Sequence, residues 1–501
     1  MVANAMGKMT GLLGLLGPLS LTLAACGDNG VLSPDAFGGR NDAPPKLRCD
    51  DTTFAADLAA VPGVSNVVRK TCPRGVTAAC FEFDFLQPVQ HQAATPSGTL
   101  QQHVNLTHRG CSRPTVVADW GYESFGFYES ELGPAYNANA ISIEHRFQGT
   151  SIPAPEQWDW TALTVRNGAD DLHAVVTAFR RLYQHNWVST GASKGGITAL
   201  YHRYFFPADV DGTVAYVAPA SRSRADAEYQ AYMKRTLPVA CAQRMRDFQA
   251  ATLTTRRSML LSKLGPGYSG VDLENEMTYW DWTFWQYDSV TSCDDIPTAA
   301  STDDEFAAYA LANLLGSQRR VPAALATDPR SDGALSYEWL TEQGFALQVN
   351  DTVAPLISGP TPTLEAYFKF SYSDVALPPF NAALNDIVRT FVRNNADHVV
   401  LVYGQNDPWS GGALDVPEQR SSGQFFVENG NHGAEISMLA GAEQTRAQML
   451  VTAMMGQPPV ANLLRRTSAV PSPIFQAIAD RERALHRRIH QLRAPSSRLP
   501  R

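Results

Sequence analysis

The first regular pattern of the chain's core has period two. Cys80 to Gln87 sets Phe81, Phe83 and Phe85 among acidic residues, and Thr99 to Thr107 alternates in the same way. Both stretches predict strands with one face turned to a core. Pro114 to Trp120 is almost wholly apolar and predicts a buried strand, and Ala140 to His145 predicts a fourth. The period then changes. Within Ala169 to His185, Leu172, Val175, Val176, Phe179 and Leu182 recur at helical spacing. Trp187 to Gly196 then reads as a short strand, a tight turn and the start of a helix, and Val210 to Val217 as a further strand. Strands alternating with helices predict a largely parallel sheet.

From Ala220 to about Pro379 the alternation stops, and the text turns helical and aromatic, with Tyr279, Trp280, Trp282, Phe284, Trp285 and Tyr287 close together. Strand patterns resume at His398 to Tyr403 and at Gln424 to Val427. The expected fold is therefore α/β, with a large, mainly helical insertion over 220–379 that divides the core into 78–219 and 380–456. Such an insertion is expected to lie as a lid over the sheet's C-terminal edge, where open α/β sheets bind ligands. The aromatic run reads as lid core, with a binding surface as the alternative.

The two ends read differently. Residues 1–25 carry Lys8 and the apolar run Leu12 to Leu23, too short for a comfortable membrane span. Leu23-Ala24-Ala25-Cys26 resembles a bacterial lipobox, so cleavage would leave Cys26 as a lipidated N-terminus; an ordinary secretory signal is the alternative. Residues 26–77 then form a tether and N-terminal extension. The expected location is the bacterial cell envelope, or outside the cell. At the other end, residues 457–501 form an arginine-rich tail whose helical stretch, Pro473 to Leu492, carries Arg481, Arg483, Arg487 and Arg488. A solvated helix or disordered end is expected there, and docking on anionic lipid is the alternative.

Composition narrows the function. A 501-residue chain with 44% hydrophobic and 18% charged residues suits a globular enzyme, and a net charge of −8 argues against a nucleic-acid partner. Leaving Cys26 aside, six cysteines remain, an even number in an exported chain, which points to disulfides. If Cys80 to Gln87 and Thr99 to Thr107 form a hairpin, Cys80 and Cys111 lie at adjacent ends and should pair. Cys241 and Cys293 flank the helical insertion's core and should pair, leaving Cys49 to Cys72. There is no CxxC, no HExxH and no clustered His/Cys set, so neither a metal nor a cofactor is expected.

The chemistry concentrates in Gly191-x-Ser193-x-Gly195, between a strand and a helix. This is the pattern of a nucleophile elbow, whose glycines let strand and helix pass closely. Ser193 sits at the tip, and the N–H of Lys194 at the helix start can face an oxyanion. A serine hydroxyl needs a base, and the base needs an acid to hold it. Asp407 follows the strand at 398–403, and His432 follows the last strand on a glycine-flanked loop. The order Ser193…Asp407…His432 is that of the α/β-hydrolases. Asp170, Asp171, Asp209 and Asp211 compete as acids, and His145 and His202 are among the competing bases. A second oxyanion donor is expected from the loop Asp119 to Glu123, at the N–H of Tyr122 or a neighbour.

Trp187 to Gly196, continuing through Tyr201-His202-Arg203 and Asp209 to Pro219, closely resembles the S37 family of secreted bacterial peptidases. Glu144-His145-Arg146-Phe147, Asn406-Asp407-Pro408-Trp409 and Asn431-His432-Gly433-Ala434 carry the resemblance further, over roughly residues 78 to 456. It implies an α/β-hydrolase fold and tripeptidyl aminopeptidase activity favouring proline, with nucleophile, acid and base on Ser193, Asp407 and His432. The sequence departs from the family in the loop after the third strand, where Trp120 precedes Gly121 in place of two adjacent glycines, and members are expected to end near residue 456. Asp407 to Gly412 and Thr341-Glu342-x-Gly344 also resemble the S28 peptidases, which cut after proline.

An aminopeptidase must bind a free α-ammonium, and a carboxylate in a partly dry pocket is the usual means. Glu144 and Glu342 are the candidates, with Trp409 as a further substrate contact; the structural alternatives are a pair with Arg146 or another arginine for Glu144 and an exposed lid residue for Glu342. The rival readings are an S28-like exopeptidase, an esterase or lipase on the same triad, and a non-catalytic binding module. Oligomeric state is not legible.

Overall fold

The computed structural model describes residues 47–490, apart from 94–97, 265–267, 289, 316–328, 348–350, 360, 362, 418–420 and 461–470. The expected signal segment, Cys26 and the end of the tail lie outside the described residues.

The period-two segments fold as read. β2 (Ala79–Pro88) and β3 (Thr99–His108) pair antiparallel, with Phe81, Phe83 and Phe85 turned inward. The apolar segments become β4 (Thr115–Asp119), β5 (Asn139–Ile143), β6 (Trp187–Ala192), β7 (Gly212–Tyr216), β10 (Val399–Gly404) and β11 (Gly423–Val427). A strand that sequence pattern missed, β1 (Val64–Lys70), adds to the β2 edge. It is mostly exposed, so no buried face imposes a period on it, and Asn66 with φ 54° interrupts its register. The nine strands lie in the order β1-β2-β3-β5-β4-β6-β7-β10-β11 and are parallel from β5 onward. The swap of β4 and β5 and the parallel run that follows are the topology of an α/β-hydrolase.

Successive residues of the central strands face opposite layers, because side chains alternate across a strand. Val117 and Trp187 join Leu172, Val175, Val176 and Phe179 of the helix Val165–Phe179 on one side. Val116, Ala118 and Val188 face the other side, with Met454 and Met455 of the helix Gly441–Met455. Burial on both faces explains the unbroken apolar text of these strands.

Between β7 and β10 the regular elements described are helices, apart from β8 (Ala225–Asp226) and β9 (Phe345–Ala346), which pair parallel. The aromatic run is buried: Trp280, Trp282, Phe284 and Trp285 pack in the principal core, and Trp282 meets Trp409 edge-on at 5.2 Å between ring centroids. No described helix is long and apolar enough to cross a membrane.

Two expectations are corrected. Cys241 pairs with Cys293 as expected, but the other bridges are Cys49–Cys111 and Cys72–Cys80. The reason is β1. Lys70 lies opposite Cys80, so the chain leaving β1 carries Cys72 to Cys80, at a Cα separation of 5.3 Å. Cys111 lies beyond the end of β3 and meets the N-terminal segment instead, where Asp51 accepts its N–H at 2.9 Å. The tail helix is also not a solvated helix. It spans Pro473–His490, and Ile474, Phe475, Ile478, Arg481, Glu482 and Leu485 are buried. Arg481 is committed to buried ion pairs with Glu123 (2.6 Å) and Asp332 (2.8 Å), which removes it from any lipid-facing surface.

Candidate active site

Ser193 follows β6 with φ 54° and ψ −122°, a conformation that L-residues rarely adopt and that tight contacts must enforce. Those contacts are glycine contacts. A Cβ on Gly191 would sit 2.2 Å from the Gly195 carbonyl oxygen, and one on Gly195 would sit 2.6 Å from that of Asp119. The strand and the helix Lys194–Phe205 thus approach at backbone distance, and Ser193 is held at the tip, its N–H donated to Tyr216 at 3.0 Å. Lys194 begins the helix, so its N–H is one of the orphan donors of the first turn.

Asp407 and His432 come together from the ends of β10 and β11. Gly404 makes this possible: a Cβ there would lie 2.1 Å from the Asn431 carbonyl oxygen, so only glycine lets the two loops touch. Oδ2 of Asp407 lies 2.7 Å from Nδ1 of His432, and Oδ1 accepts the N–H of Trp409 at 3.1 Å. The aspartate therefore caps its own turn and holds the imidazole at once. Nε2 of His432 has no hydrogen-bond partner among the described residues. Burial alone would lower the pKa of His432, but the carboxylates of Asp407 and then Glu482 outweigh it and raise it above that of ordinary imidazole.

A residue of the tail helix that sequence reasoning did not single out stands at the centre. Glu482 accepts the Ser193 hydroxyl at 2.9 Å and the Tyr122 hydroxyl at 2.5 Å on Oε1. Its Oε2 accepts Gln286 at 2.6 Å and the hydroxyl of Tyr287, and lies 4.0 Å from Nε2 of His432. The signal was present. Ile474, Ile478 and Leu485 mark an apolar helix face, and Glu482, four residues past Ile478, is an acid on that face.

Beneath the elbow lies a buried ionic cluster. Nζ of Lys194 reaches Glu338 at 3.0 Å and His145 at 2.9 Å, and His145 holds Asp119 at 2.8 Å through Nδ1. Burial would raise the Glu338 carboxyl, but Lys194 and His145 hold it at about 2. This cluster ties the helix start to the loop after β4. In that loop Tyr122 accepts the N–H of His145 on its carbonyl at 2.9 Å, which fixes the backbone where a second oxyanion donor was expected.

The expected amine anchors fare unequally. Glu144 is already saturated: Oε1 accepts Thr150 and Ser151 through their N–H and hydroxyl groups, and Oε2 accepts the N–H of Ser124. It is a loop-bracing carboxylate, not a free anchor, and its expected partner Arg146 pairs instead with Asp171. Glu342 accepts the N–H of Val165 at 2.7 Å, at the start of the helix Val165–Phe179, and burial, aided by Glu338, raises it to about 7. Trp409 lines the same small cavity as Ser193, together with Trp339, Gly344 and Phe345 from the helical insertion. The competing groups are occupied elsewhere: Asp170 with Arg166, Asp209 with His173 and His202, and Asp211 with the N–H of Trp187. Asp51, His108 and Cys111 converge as a metal site would, but the sulfur of Cys111 is bonded to Cys49.

The chain resembles known proteins along most of its length. The family model described as PS-10 peptidase S37 matches residues 52–318 and 369–493. The match runs through the tail helix, so the expectation that members end near residue 456 is corrected. A prolyl tri/tetrapeptidyl aminopeptidase from Streptomyces mobaraensis is 29% identical over 416 residues, covering 79% of this chain and 84% of that protein. A thymus-specific serine protease from Homo sapiens is 33% identical over 116 residues, 22% of this chain and 23% of that one. Among solved structures, a proline iminopeptidase from Mycobacterium smegmatis aligns with a TM-score of 0.31 at 14% identity, covering 78% of this chain and 99% of its own. With an α/β-hydrolase sheet, a serine on a strained elbow and a family match over most of its length, the chain belongs to the S37 peptidase family and is a serine peptidase.

Proposed function

We propose that the protein is an exported serine exopeptidase that releases short, tripeptide-like, proline-preferring peptides from free N-termini. The observation that carries the chemistry is the Asp407–His432 pair, whose Nε2 lies 4.0 Å from Oε2 of Glu482, the same carboxylate whose Oε1 accepts the Ser193 hydroxyl. In this reading Nε2 of His432 takes the proton of Ser193 Oγ as Oγ bonds to the scissile carbonyl carbon. The N–H groups of Lys194 and Tyr122 receive the oxyanion. His432 then gives the proton to the leaving nitrogen as the C–N bond breaks; water, deprotonated by His432, adds to the acyl carbon, and the C–Oγ bond breaks as His432 returns that proton to Ser193 Oγ, releasing the peptide. Asp407 keeps the imidazole in the tautomer that leaves Nε2 free to accept.

Support for the substrate class comes from the Streptomyces relative, whose printed name is that of a prolyl tri/tetrapeptidyl aminopeptidase. Trp409, Trp339 and Phe345 offer flat apolar walls suited to a proline ring. Glu342 stands as the remaining anchor of the two read from sequence. Three disulfides support an oxidising compartment, and a lipid anchor on Cys26 is the export reading; an acyl chain on Cys26 would be seen by mass spectrometry of the mature protein. Peptides with free and blocked N-termini, followed by mass spectrometry of the products, test the direction of cleavage. Release of tripeptides from free N-termini is expected, and release of single residues from C-termini would overturn it. Ser193→Ala should lower kcat at least about 10³-fold with an unchanged thermal melt; activity within tenfold of wild type would remove Ser193 from its role.

A further inference from the structure

We infer that the C-terminal helix Pro473–His490 is a self-inhibitory plug, with Glu482 occupying the position beside Ser193 that a substrate acyl group must enter. The inference rests on Ser193 being the nucleophile. Four groups converge on one carboxylate: the hydroxyls of Ser193, Tyr122 and Tyr287 and the amide of Gln286. An attacked carbonyl carbon must come within about 3–3.5 Å of Oγ, and Glu482 Oε1 already stands 2.9 Å away. The cavity left at Ser193 measures about 20 Å³. That is room for about one water and not for a peptide.

The helix also divides the site. A second cavity of about 310 Å³ reaches His432 and is walled on the helix side by Phe475, Ala479 and Arg483. Glu482 lines the small cavity and its neighbours line the large one, so withdrawal of the helix would join nucleophile, base and peptide-sized space. The neighbouring residue secures the plugged state. Arg481, 1% exposed, bridges Glu123 beside the Tyr122 loop to Asp332 in the helical insertion, and Arg483 lies over the Tyr287 ring at 4.2 Å.

A constitutive amine anchor is the competing role for Glu482, and distance separates the two. A tripeptide places its α-nitrogen about 10 Å from the scissile carbonyl, at about 3.3 Å per extended residue. Glu482 is in contact with the nucleophile itself, so it sits where the carbonyl belongs and not where that ammonium would be.

Glu482→Ala and wild type are compared by the rate at which a fluorophosphonate probe labels Ser193, and by kcat/KM on free-amine peptides and a small acetyl ester. The variant is expected to label at least tenfold faster and to gain on both substrates. Equal or slower labelling sinks the plug, and a loss confined to free-amine peptides makes Glu482 an anchor instead. Because the variant removes the carboxylate to which two tyrosine hydroxyls donate, wild type supplies an independent measurement. Amide exchange over residues 473–485 should speed up once Ser193 carries the phosphonate, since the adduct and Glu482 cannot share the pocket. Unchanged protection overturns the proposal. Peptide hydrolysis that survives Ser193→Ala, with no labelling of Ser193 in any variant, removes the nucleophile and the plug with it. Normal labelling at equal rates removes the plug alone.

Discussion

Each side chain at this site is defined by what its oxygens and nitrogens already hold. Glu144 accepts five hydrogen bonds from its own loop neighbourhood, so it has no capacity for an incoming ammonium. Glu144→Gln should therefore reduce turnover equally on free-amine peptides and on blocked esters, through misplacement of the loop; a loss restricted to free-amine peptides would restore it as an anchor. In the proposed mechanism His432 must be neutral to accept the serine proton. Burial opposes its charge, yet Asp407 and Glu482 raise its pKa, so kcat/KM should climb with pH through a midpoint above the unperturbed value of about 6.5. Glu482→Gln removes one of those carboxylates and should move the midpoint to lower pH. A pH profile whose midpoint stays or rises would show that Glu482 does not face His432 in the free enzyme.

At the level of elements, the elbow is a problem of close approach. The strand and the following helix can cross only where side chains are missing, and the strained backbone of Ser193 is held by that crossing. Gly191→Ala should cost at least about 3 kcal/mol, the upper end for overpacking, because the opposing atom is a backbone oxygen that cannot step aside. A urea melt within about 1 kcal/mol of wild type would contradict this. The tail helix shows the limit of reading an element by its charge. Its arginines suggested a solvated rod, whereas its apolar face and Arg481 are packed into the molecule.

For the whole molecule, the disulfides record where the N-terminal segment runs. Cys49–Cys111 spans 62 residues and Cys72–Cys80 spans 8. In the chain-entropy account the longer loop stabilises by about 2 kcal/mol more. Serine at Cys49 and Cys111 together should accordingly lower the denaturation midpoint further than serine at Cys72 and Cys80. A non-reducing peptide map must show the Cys49–Cys111 link, and a Cys80–Cys111 link would refute this topology. The same segment hides β1, whose position beside β2 decides which cysteine Cys80 meets.

Local signals determined a good deal: the strands of the nine-stranded sheet other than β1, the elbow, and the chain order of serine, aspartate and histidine. These are short-range patterns, in which burial on one or both faces, or a glycine at a crossing, must be written into neighbouring residues. Tertiary structure alone decided the partners of Cys49, Cys72, Cys80 and Cys111, the saturation of Glu144 and the placement of Glu482 against Ser193. Each of these depends on which residue, near or distant in sequence, fills the remaining hydrogen-bonding or bonding capacity of a given atom. Composition cannot distinguish a glutamate in solvent from one buried against Ser193, 289 positions away, because the residue is the same and only its neighbours differ.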